Sequence, residues 1–162
     1  VNYLVEHDAK IQDKFSLLIE GNGKETNFLK KYVNDNNLGE CVNFISNLND
    51  IEEFYNVIDI LVVPSVGFED LPNVISEAFA FKIPVIGSNL AGIPEQIKDG
   101  KNGFLVNIND YRSIAEKFIF FINNKYEINN MGTNARKVYE SKFSVNAVAL
   151  KYNKFFKKVL DS

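Results

Sequence analysis

Cysteine and histidine are almost absent from this chain of 162 residues, which contains one of each. A single cysteine, Cys41, excludes an internal disulfide, and neither Cys41 nor His7 has a partner at metal-ligand spacing. We therefore expect Cys41 to fill the core and His7 to have a surface or half-buried packing role in the opening helix. No metal site is predicted.

Long apolar runs and an excess of positive charge are also lacking. No apolar run approaches the roughly 20 residues that a membrane-spanning helix needs. The formal net charge of −3 gives no general attraction to nucleic acid, so any phosphate binding has to be local. The first ten residues also lack the basic and apolar regions of a secretory signal. Together with the lone cysteine, these absences predict a cytoplasmic protein.

What is present is a regular alternation of short apolar runs and helical patterns. The runs are mostly unalternating, as expected of strands buried on both faces. They cover residues 16–20, 42–45, 60–63, 84–87 and 103–106. Beyond Val106 the pattern becomes all helical, at 111–123, at 128–139 and in a last helix that Ser144 opens. This order predicts one α/β domain with a doubly wound parallel sheet and a helical carboxyl terminus.

The segment 62–106 is the most informative part of the chain. An apolar strand ends in an acidic loop, which leads into a helix whose first turn carries Pro72, Asn73 and Val74. The amino end of a helix presents unpaired N–H groups and a partial positive charge, so it can hold a diphosphate. A carboxylate one turn further in, as at Glu77, can accept hydrogen bonds from sugar hydroxyls. This combination suits a nucleotide-sugar.

The same segment resembles the nucleotide-sugar signature of the retaining GT-B glycosyltransferases of family 4. Seven residues separate Glu69 from Glu77, and an Ala-rich helix, a Pro-Val-Ile strand, a Gly-Ile-Pro-Glu turn and an Asn-Gly-Phe-Leu-Val strand follow. The resemblance extends over essentially the whole chain. It implies that residues 1–162 form the Rossmann-like, carboxyl-terminal donor-binding domain, with the amino-terminal acceptor domain absent.

The resemblance also implies a role for individual residues. Glu77 would bind the ribose hydroxyls, and Glu69 would act in catalysis beside the donor sugar and its leaving phosphate. The backbone N–H groups of Asn73 and Val74 would face the phosphates. The remaining donor-binding residues that it implies are Asp70, Leu71, Pro72, Gly21, Gly23, Ser46, Asn47 and Leu48. The arrangement requires no metal or other cofactor.

In the family, a glycine-rich strand and a loop with an arginine and a lysine come before the residues that VNYLVE resembles, and nothing like them precedes Val1. The first strand of such a sheet is central. We therefore expect a vacant slot between the strands at Ser16 and Ile60. Both flanking strand edges would have unpaired N–H and C=O groups. This predicts strand exchange or dimerisation at the slot.

Two residues depart from the pattern of the family. Asp70 stands where glycine is usual and adds a negative charge close to the expected diphosphate. Lys82 replaces the glycine that commonly ends the signature helix. A left-handed conformation there would cost lysine roughly 1 kcal/mol more than glycine.

Several motifs also have simpler explanations. Gly21-Asn22-Gly23 is equally well a plain tight turn, since the third glycine of a dinucleotide fingerprint is missing. Residues 46–48 are equally well an ordinary strand-to-helix loop. Helix capping accounts for residues 91–95, where Glu95 favours the helix dipole, and a donor-facing role for Ala91 and Gly92 is the minority alternative. The lysines of the last helix are its hydrated face, with anionic membrane contact as a weak alternative.

These features predict a retaining glycosyltransferase that moves a sugar from UDP or GDP to a hydroxyl acceptor, in bacterial surface-polysaccharide synthesis. The expected acceptor is lipid-linked or a polysaccharide, and the missing half would give peripheral contact with the inner face of the membrane. The chain alone is expected to be inactive. A nucleotide-sugar epimerase of GT-B architecture and a noncatalytic nucleotide-sugar-binding module remain alternatives. A nicotinamide-binding domain shares the sheet class but needs a glycine fingerprint that the chain lacks.

Overall fold

A computed structural model describes residues 1–45, 50–67 and 69–161. The strands are β1 (Leu17–Glu20), β2 (Val42–Ile45), β3 (Leu61–Val63), β4 (Val85–Ser88) and β5 (Gly103–Val106). The helices are α1 (Asn2–His7), α2 (Thr26–Asp35), α3 (Ile51–Val57), α4 (Asn73–Ala80), α5 (Ile93–Gln96), α6 (Tyr111–Asn123), α7 (Lys125–Val138) and α8 (Val145–Leu160). A short 3₁₀ helix (Ala9–Lys14) precedes β1, and a π-helical turn (Tyr139–Phe143) precedes α8.

The described strands form two parallel sheets. One contains β1 and β2, with Leu17 opposite Val42. The other has the order β3-β4-β5, with Leu61 opposite Val85 and Val85 opposite Gly103. Every predicted strand is present to within one residue at either end, and the sheet is interrupted between β1 and β3, as the sequence predicts.

Strand β4 explains why the apolar runs do not alternate. All four of its residues are buried. Val85 packs in one cluster with Ile75, Phe79 and residues of α3, α5 and α7, whereas its neighbour Ile86 packs on the opposite face with Phe121 and residues of β5 and α7. Because successive side chains of a strand point to opposite faces, a strand covered on both sides is apolar throughout.

The opening region consists of two short helices, α1 and the 3₁₀ helix, which meet at Asp8. Asp8 has extended backbone angles (φ −150°, ψ 98°), and its carboxylate accepts from the Lys10 N–H at 3.1 Å. It therefore ends α1 and caps the 3₁₀ helix, as aspartate often does. Leu4 and Ile11 still pack in one cluster, against Ala115 of α6.

Cys41 and His7 occupy the positions predicted for them. Cys41 is a free thiol, 1% exposed, in a cluster with Leu38 and Val42. His7 is exposed, its Nδ1 lies 2.7 Å from the Tyr3 carbonyl oxygen, and its ring contacts that of Tyr3.

The carboxyl-terminal helices agree with the sequence pattern. Helix α7 begins three residues earlier than predicted, and Ser144 opens α8 by accepting from the Ala147 N–H at 3.2 Å. Helix α8 has no buried residue, and its lysines are exposed. In the described part of the chain, no helix combines the length and the apolar character needed to cross a membrane.

Lys82 adopts a left-handed conformation, which ordinarily favours glycine. Its φ is +61°, and it follows directly on Phe81, the residue that caps α4. Its side chain is exposed. The helix therefore ends in a left-handed residue, and lysine has the conformational cost of that geometry.

Candidate functional site

The junction between β3 and α4 forms the candidate site. Pro72 is the N-cap residue of α4, and not a residue of its first turn as the sequence suggested, because its ψ is 122°. Asn73 and Val74 are the first two helical residues, and both are exposed. Among the described residues, their N–H groups have no acceptor, whereas the Ile75 N–H already donates to the Pro72 carbonyl at 3.2 Å. Two donors at a positive helix end therefore face outward.

Glu77 lies one turn further along α4 and is held by a tyrosine. The Tyr55 hydroxyl of α3 donates to Glu77 Oε2 at 2.8 Å. Tyr55 is 3% exposed, whereas Glu77 is half-buried. Burial, followed by the hydrogen bond to Glu77 and the negative charges of Glu77 and Glu20, raises the pKa of Tyr55. The phenol therefore stays protonated and fixes one carboxylate oxygen, and the other, Oε1, has no hydrogen-bond partner among the described residues.

Glu69 is positioned within the loop itself. It is half-buried, and its Oε1 accepts from the Ser65 hydroxyl at 3.1 Å. Ser65 follows β3 closely, so this bond ties the carboxylate to the carboxyl end of the sheet. Asp70 and Leu71, which come next, are both exposed. The charge added by Asp70 therefore lies in solvent beside the helix end.

Helix α5 supports the loop from beneath. A Cβ at Gly92 would lie 1.7 Å from the Asp70 carbonyl oxygen, so only glycine allows this approach. Gln96 is 1% exposed, and its Nε2 donates to the Pro72 carbonyl at 3.3 Å. The turn at residues 91–95 thus has a packing role as well as a capping one.

Tyr55 and Gln96 are the site residues that sequence reasoning missed. Tyr55 reaches Glu77 from 22 positions away. Gln96 meets Pro72 from 24 positions away. Glutamine is mostly exposed in proteins, so nothing in the sequence marks Gln96 as buried. The one available signal for Tyr55 was its place among the apolar residues of α3.

The other predicted contacts follow β1 and β2. Gly21 has a φ of +127°, and its N–H donates to the Ile45 carbonyl at 3.3 Å. The Gly23 N–H donates to Thr26 Oγ1 at 2.9 Å. Both N–H groups are therefore engaged, which favours the plain tight turn. Ser46, Asn47 and Leu48 lie outside the described residues.

An apolar cleft of about 1000 Å³ separates the two sheets. Its walls include β1 on one side and Leu61 to Pro64 on the other. Glu20, Tyr55 and Val74 also line it. The end of β1 and the start of α4 therefore border one space, which brings the Gly21 turn to the same side of the molecule as Val74. No group of three or more metal-ligating side chains that could hold an ion occurs within residues 1–45, 50–67 and 69–161.

Comparison with known proteins identifies the family. The family described as glycosyl transferases group 1 matches residues 1–138. The chain is 34% identical over 146 residues to the Staphylococcus aureus capsular polysaccharide biosynthesis glycosyltransferase CapM, covering 88% of this chain and 37% of CapM. It is 30% identical over 144 residues to the Escherichia coli UDP-Gal:alpha-D-GlcNAc-diphosphoundecaprenol alpha-1,3-galactosyltransferase, covering 88% of this chain and 36% of the enzyme.

A solved structure has the same fold. The crystal structure of a glycosyltransferase from Rickettsia africae superposes with a TM-score of 0.83 and 26% identity, covering 97% of this chain and 43% of that one. The chain thus spans roughly two fifths of the length of the relatives it matches. It belongs to the glycosyl transferases group 1 family, and its fold is that of the carboxyl-terminal half of GT-B glycosyltransferases.

Proposed function

We propose that this chain is the donor-binding domain of a retaining, family 4 glycosyltransferase, which transfers a hexose from a nucleoside diphosphate to a hydroxyl acceptor. The observation that carries the proposal is the arrangement on α4. Two outward N–H groups, at Asn73 and Val74, precede by one turn a carboxylate that Tyr55 holds at 2.8 Å. A diphosphate fits the helix end, and a ribose hydroxyl fits the free oxygen of Glu77.

The donor in this proposal is UDP- or GDP-linked. The Escherichia coli relative, whose name specifies UDP-Gal, supports a UDP-sugar as the donor in this proposal. The names of the two curated relatives also include capsular polysaccharide and a diphosphoundecaprenol. They support a lipid-linked or polysaccharide acceptor, with the protein working in the cytoplasm at the inner face of the membrane.

Catalysis in this proposal depends on stabilising the departing diphosphate. Fixed N–H dipoles aimed at the phosphate lower the barrier without reorganising when charge develops. Glu69, tied to Ser65, is placed to stabilise positive charge that develops on the sugar. Asp70, Leu71 and Pro72 shape the approach to the phosphates. Backbone N–H groups hold the diphosphate in this scheme, which includes no divalent metal.

The acceptor site belongs to an amino-terminal GT-B domain in this proposal. Transfer takes place in the cleft between two domains, where closure positions the acceptor and excludes water. The 162-residue chain is therefore expected to bind nucleotide weakly and to transfer no sugar. Sugar transfer by the purified chain, free of other polypeptides, would contradict the assignment of the acceptor site to a separate domain.

The ribose contact is tested by replacing Glu77. In the complete enzyme, Glu77→Ala should weaken the binding of UDP or GDP by about 1.5–3 kcal/mol, the range for hydrogen bonds to a charged group. Glu77→Gln removes the charge but keeps an oxygen that can accept from the Tyr55 hydroxyl. It therefore tests the effect of the charge on nucleotide binding while the hydrogen bond that supports the fold is retained. Calorimetric titration with both nucleotides measures the change.

A matched control is Glu95→Gln, which alters an exposed carboxylate in the first turn of α5. It should leave both affinities unchanged. Affinities of the Glu77 variants equal to those of the unmodified protein, for both UDP and GDP, would reject the assignment of Glu77.

A further inference from the structure

Tyr55 is a core aromatic residue with a polar end at the candidate site. Its side chain is 3% exposed, and its ring packs on the ring of Phe81 at 5.2 Å and on that of Phe54 at 5.4 Å, measured between centroids. Ile75 and Phe79 of α4 belong to the same buried cluster. Packing on several sides therefore fixes the ring, and with it the position of the hydroxyl. Because so little of the side chain is exposed, the hydroxyl acts on its neighbours in the protein and not directly on a ligand.

The Tyr55 hydroxyl lies between the two contacts proposed for a nucleotide. Glu77 Oε2 is 2.8 Å away, and the carbonyl oxygen of Val74 is 3.4 Å away. A phenol has a single proton to donate, and the shorter contact, to a carboxylate, is the stronger. Val74 belongs to the turn whose N–H groups face outward, and Glu77 lies one turn further along α4. One buried oxygen therefore fixes the carboxylate relative to the helix end.

Glu77 has no other polar anchor in the part of the chain that the structure describes. Within those residues its second oxygen, Oε1, accepts no hydrogen bond, and Glu77 takes part in no ion pair. Glutamate has a long, flexible side chain, and a ligand that binds a free one has to immobilise it. Tyr55 holds Glu77 in place before a ligand arrives. This preorganisation leaves Oε1 as the oxygen that meets the ligand.

We propose that Tyr55 is the positioning residue that makes the site prefer a ribonucleotide to a deoxyribonucleotide. This inference rests on the proposed function, in which Oε1 of Glu77 accepts from a ribose hydroxyl. Tyr55 acts through Glu77, because it donates to Oε2 and so holds Oε1 in place for that hydroxyl. Without the phenol, the carboxylate can turn away, and the ribose hydroxyl loses a fixed acceptor. A nucleotide that lacks this hydroxyl has no such contact to lose, so its binding depends much less on Tyr55.

The experiment compares nucleotides that differ by a single hydroxyl. The complete enzyme is titrated calorimetrically with UDP or GDP, whichever binds more tightly, and with its 2′-deoxy and 3′-deoxy counterparts. The ratio of each deoxynucleotide dissociation constant to that of the ribonucleotide measures the preference for ribose. In the unmodified enzyme, we expect a ratio of about ten or more for at least one counterpart, which is the effect of a hydrogen bond to a charged group.

The ribose preference should depend on the Tyr55 hydroxyl. Tyr55→Phe should lower the ratio by about threefold to tenfold, which corresponds to the cost of ordering a flexible side chain. The loss should come from weaker ribonucleotide binding, with the affinity for the deoxynucleotide changed by less than about twofold. Glu77→Ala should remove the preference. Adding Tyr55→Phe to Glu77→Ala should change the ratio no further, because Tyr55 acts only through Glu77.

Ile97→Val is a matched control for a general loss of stability. Ile97 is 1% exposed and packs in the same buried cluster as Tyr55, but its side chain has no polar atom. Removing one of its methyl groups and removing the Tyr55 hydroxyl should destabilise the fold to a similar extent. Ile97→Val should nevertheless leave the ratio unchanged. Circular dichroism checks that each variant is folded.

Three results would overturn the proposal. An unchanged ratio in Tyr55→Phe, with the preference lost in Glu77→Ala, would show that Glu77 needs no positioning, and it would leave the proposed nucleotide site intact. Equal weakening of ribonucleotide and deoxynucleotide binding by Tyr55→Phe would give Tyr55 a purely structural role. If Glu77→Ala also keeps the preference, the proposed ribose contact itself is wrong, and the inference about Tyr55 fails with it.

Discussion

At the scale of single residues, the site depends on a buried phenol beside a carboxylate. The carboxylates Glu69 and Glu77 were predicted from the sequence because their spacing and context resemble the family signature. Tyr55 was not, because a tyrosine in an apolar helical face is ordinarily core. Its function as a donor to Glu77 depends on how α3 packs on α4, which no local pattern specifies.

Replacing Tyr55 by phenylalanine removes this hydrogen bond, together with the longer contact of the same hydroxyl with the Val74 carbonyl oxygen at 3.4 Å. Tyr55→Phe retains the ring that stacks on Phe81, at 5.2 Å between centroids. We expect it to lower the free energy of unfolding near pH 8 by about 1 kcal/mol, the typical net value of a hydrogen bond.

The same variant tests the raised pKa of Tyr55. A phenol whose pKa is raised on folding stabilises the fold fully below the unfolded pKa of about 10. Above it, the unfolded chain loses its proton first, so stability declines as pH rises. The difference in stability between the unmodified protein and the Tyr55→Phe variant should therefore shrink from about pH 9 to about pH 11. Urea unfolding at each pH measures it, and a constant difference would contradict the pKa shift.

Replacing Lys82 is expected to stabilise the fold, whereas replacing Tyr55 is expected to destabilise it. Because its φ is +61°, Lys82→Gly relieves a left-handed conformation, at some cost in unfolded-state entropy. We expect a net stabilisation of about 0.5–1 kcal/mol. Lys98→Gly, at an exposed residue without positive φ, should destabilise by a similar amount. Thermal unfolding of both variants measures the two changes in stability. Destabilisation by Lys82→Gly would contradict conformational strain at Lys82.

At the scale of elements, the strands were predictable and the helix junctions less so. The run at β4 is apolar throughout because Val85 and Ile86 pack on opposite faces. The break at Asp8 and the cap at Pro72 were missed, since both depend on backbone angles that hydrophobic periodicity does not encode. Gly92 was read as capping, but its contact with the Asp70 carbonyl is tertiary.

The amino end of α4 gives the element-scale prediction. Pro72 has extended backbone angles, so a proline can follow it at the first helical position without strain. Asn73→Pro therefore removes one N–H from the helix end and should weaken UDP binding, whereas Asn73→Ala should be nearly silent. Val74→Pro removes the second donor and should also damage binding. Circular dichroism controls for folding, and unchanged affinity in a folded Asn73→Pro protein would argue against a backbone phosphate site at that residue.

At the scale of the whole molecule, the two sheets and the cleft between them were predicted by analogy with a sheet whose first strand is central. Periodicity alone predicts five parallel strands but not their order, because strand order depends on contacts far apart in sequence. The cleft matters for function since Tyr55 and Val74 line it together with Glu20. The cleft therefore borders the proposed donor site.

The most direct test of the account is a titration of the ¹⁵N-labelled chain with UDP, followed by amide chemical shifts. The shifts report the position of a ligand even when binding is weak. We expect saturable shifts that are largest at Asn73 and Val74 and extend to Glu77. Uridine, which lacks the diphosphate, should change the amide chemical shifts around Glu77 and Tyr55. It should leave the amide shifts of Asn73 and Val74 unchanged. The absence of shifts on α4 at millimolar UDP, or shifts confined to other parts of the chain, would contradict the account.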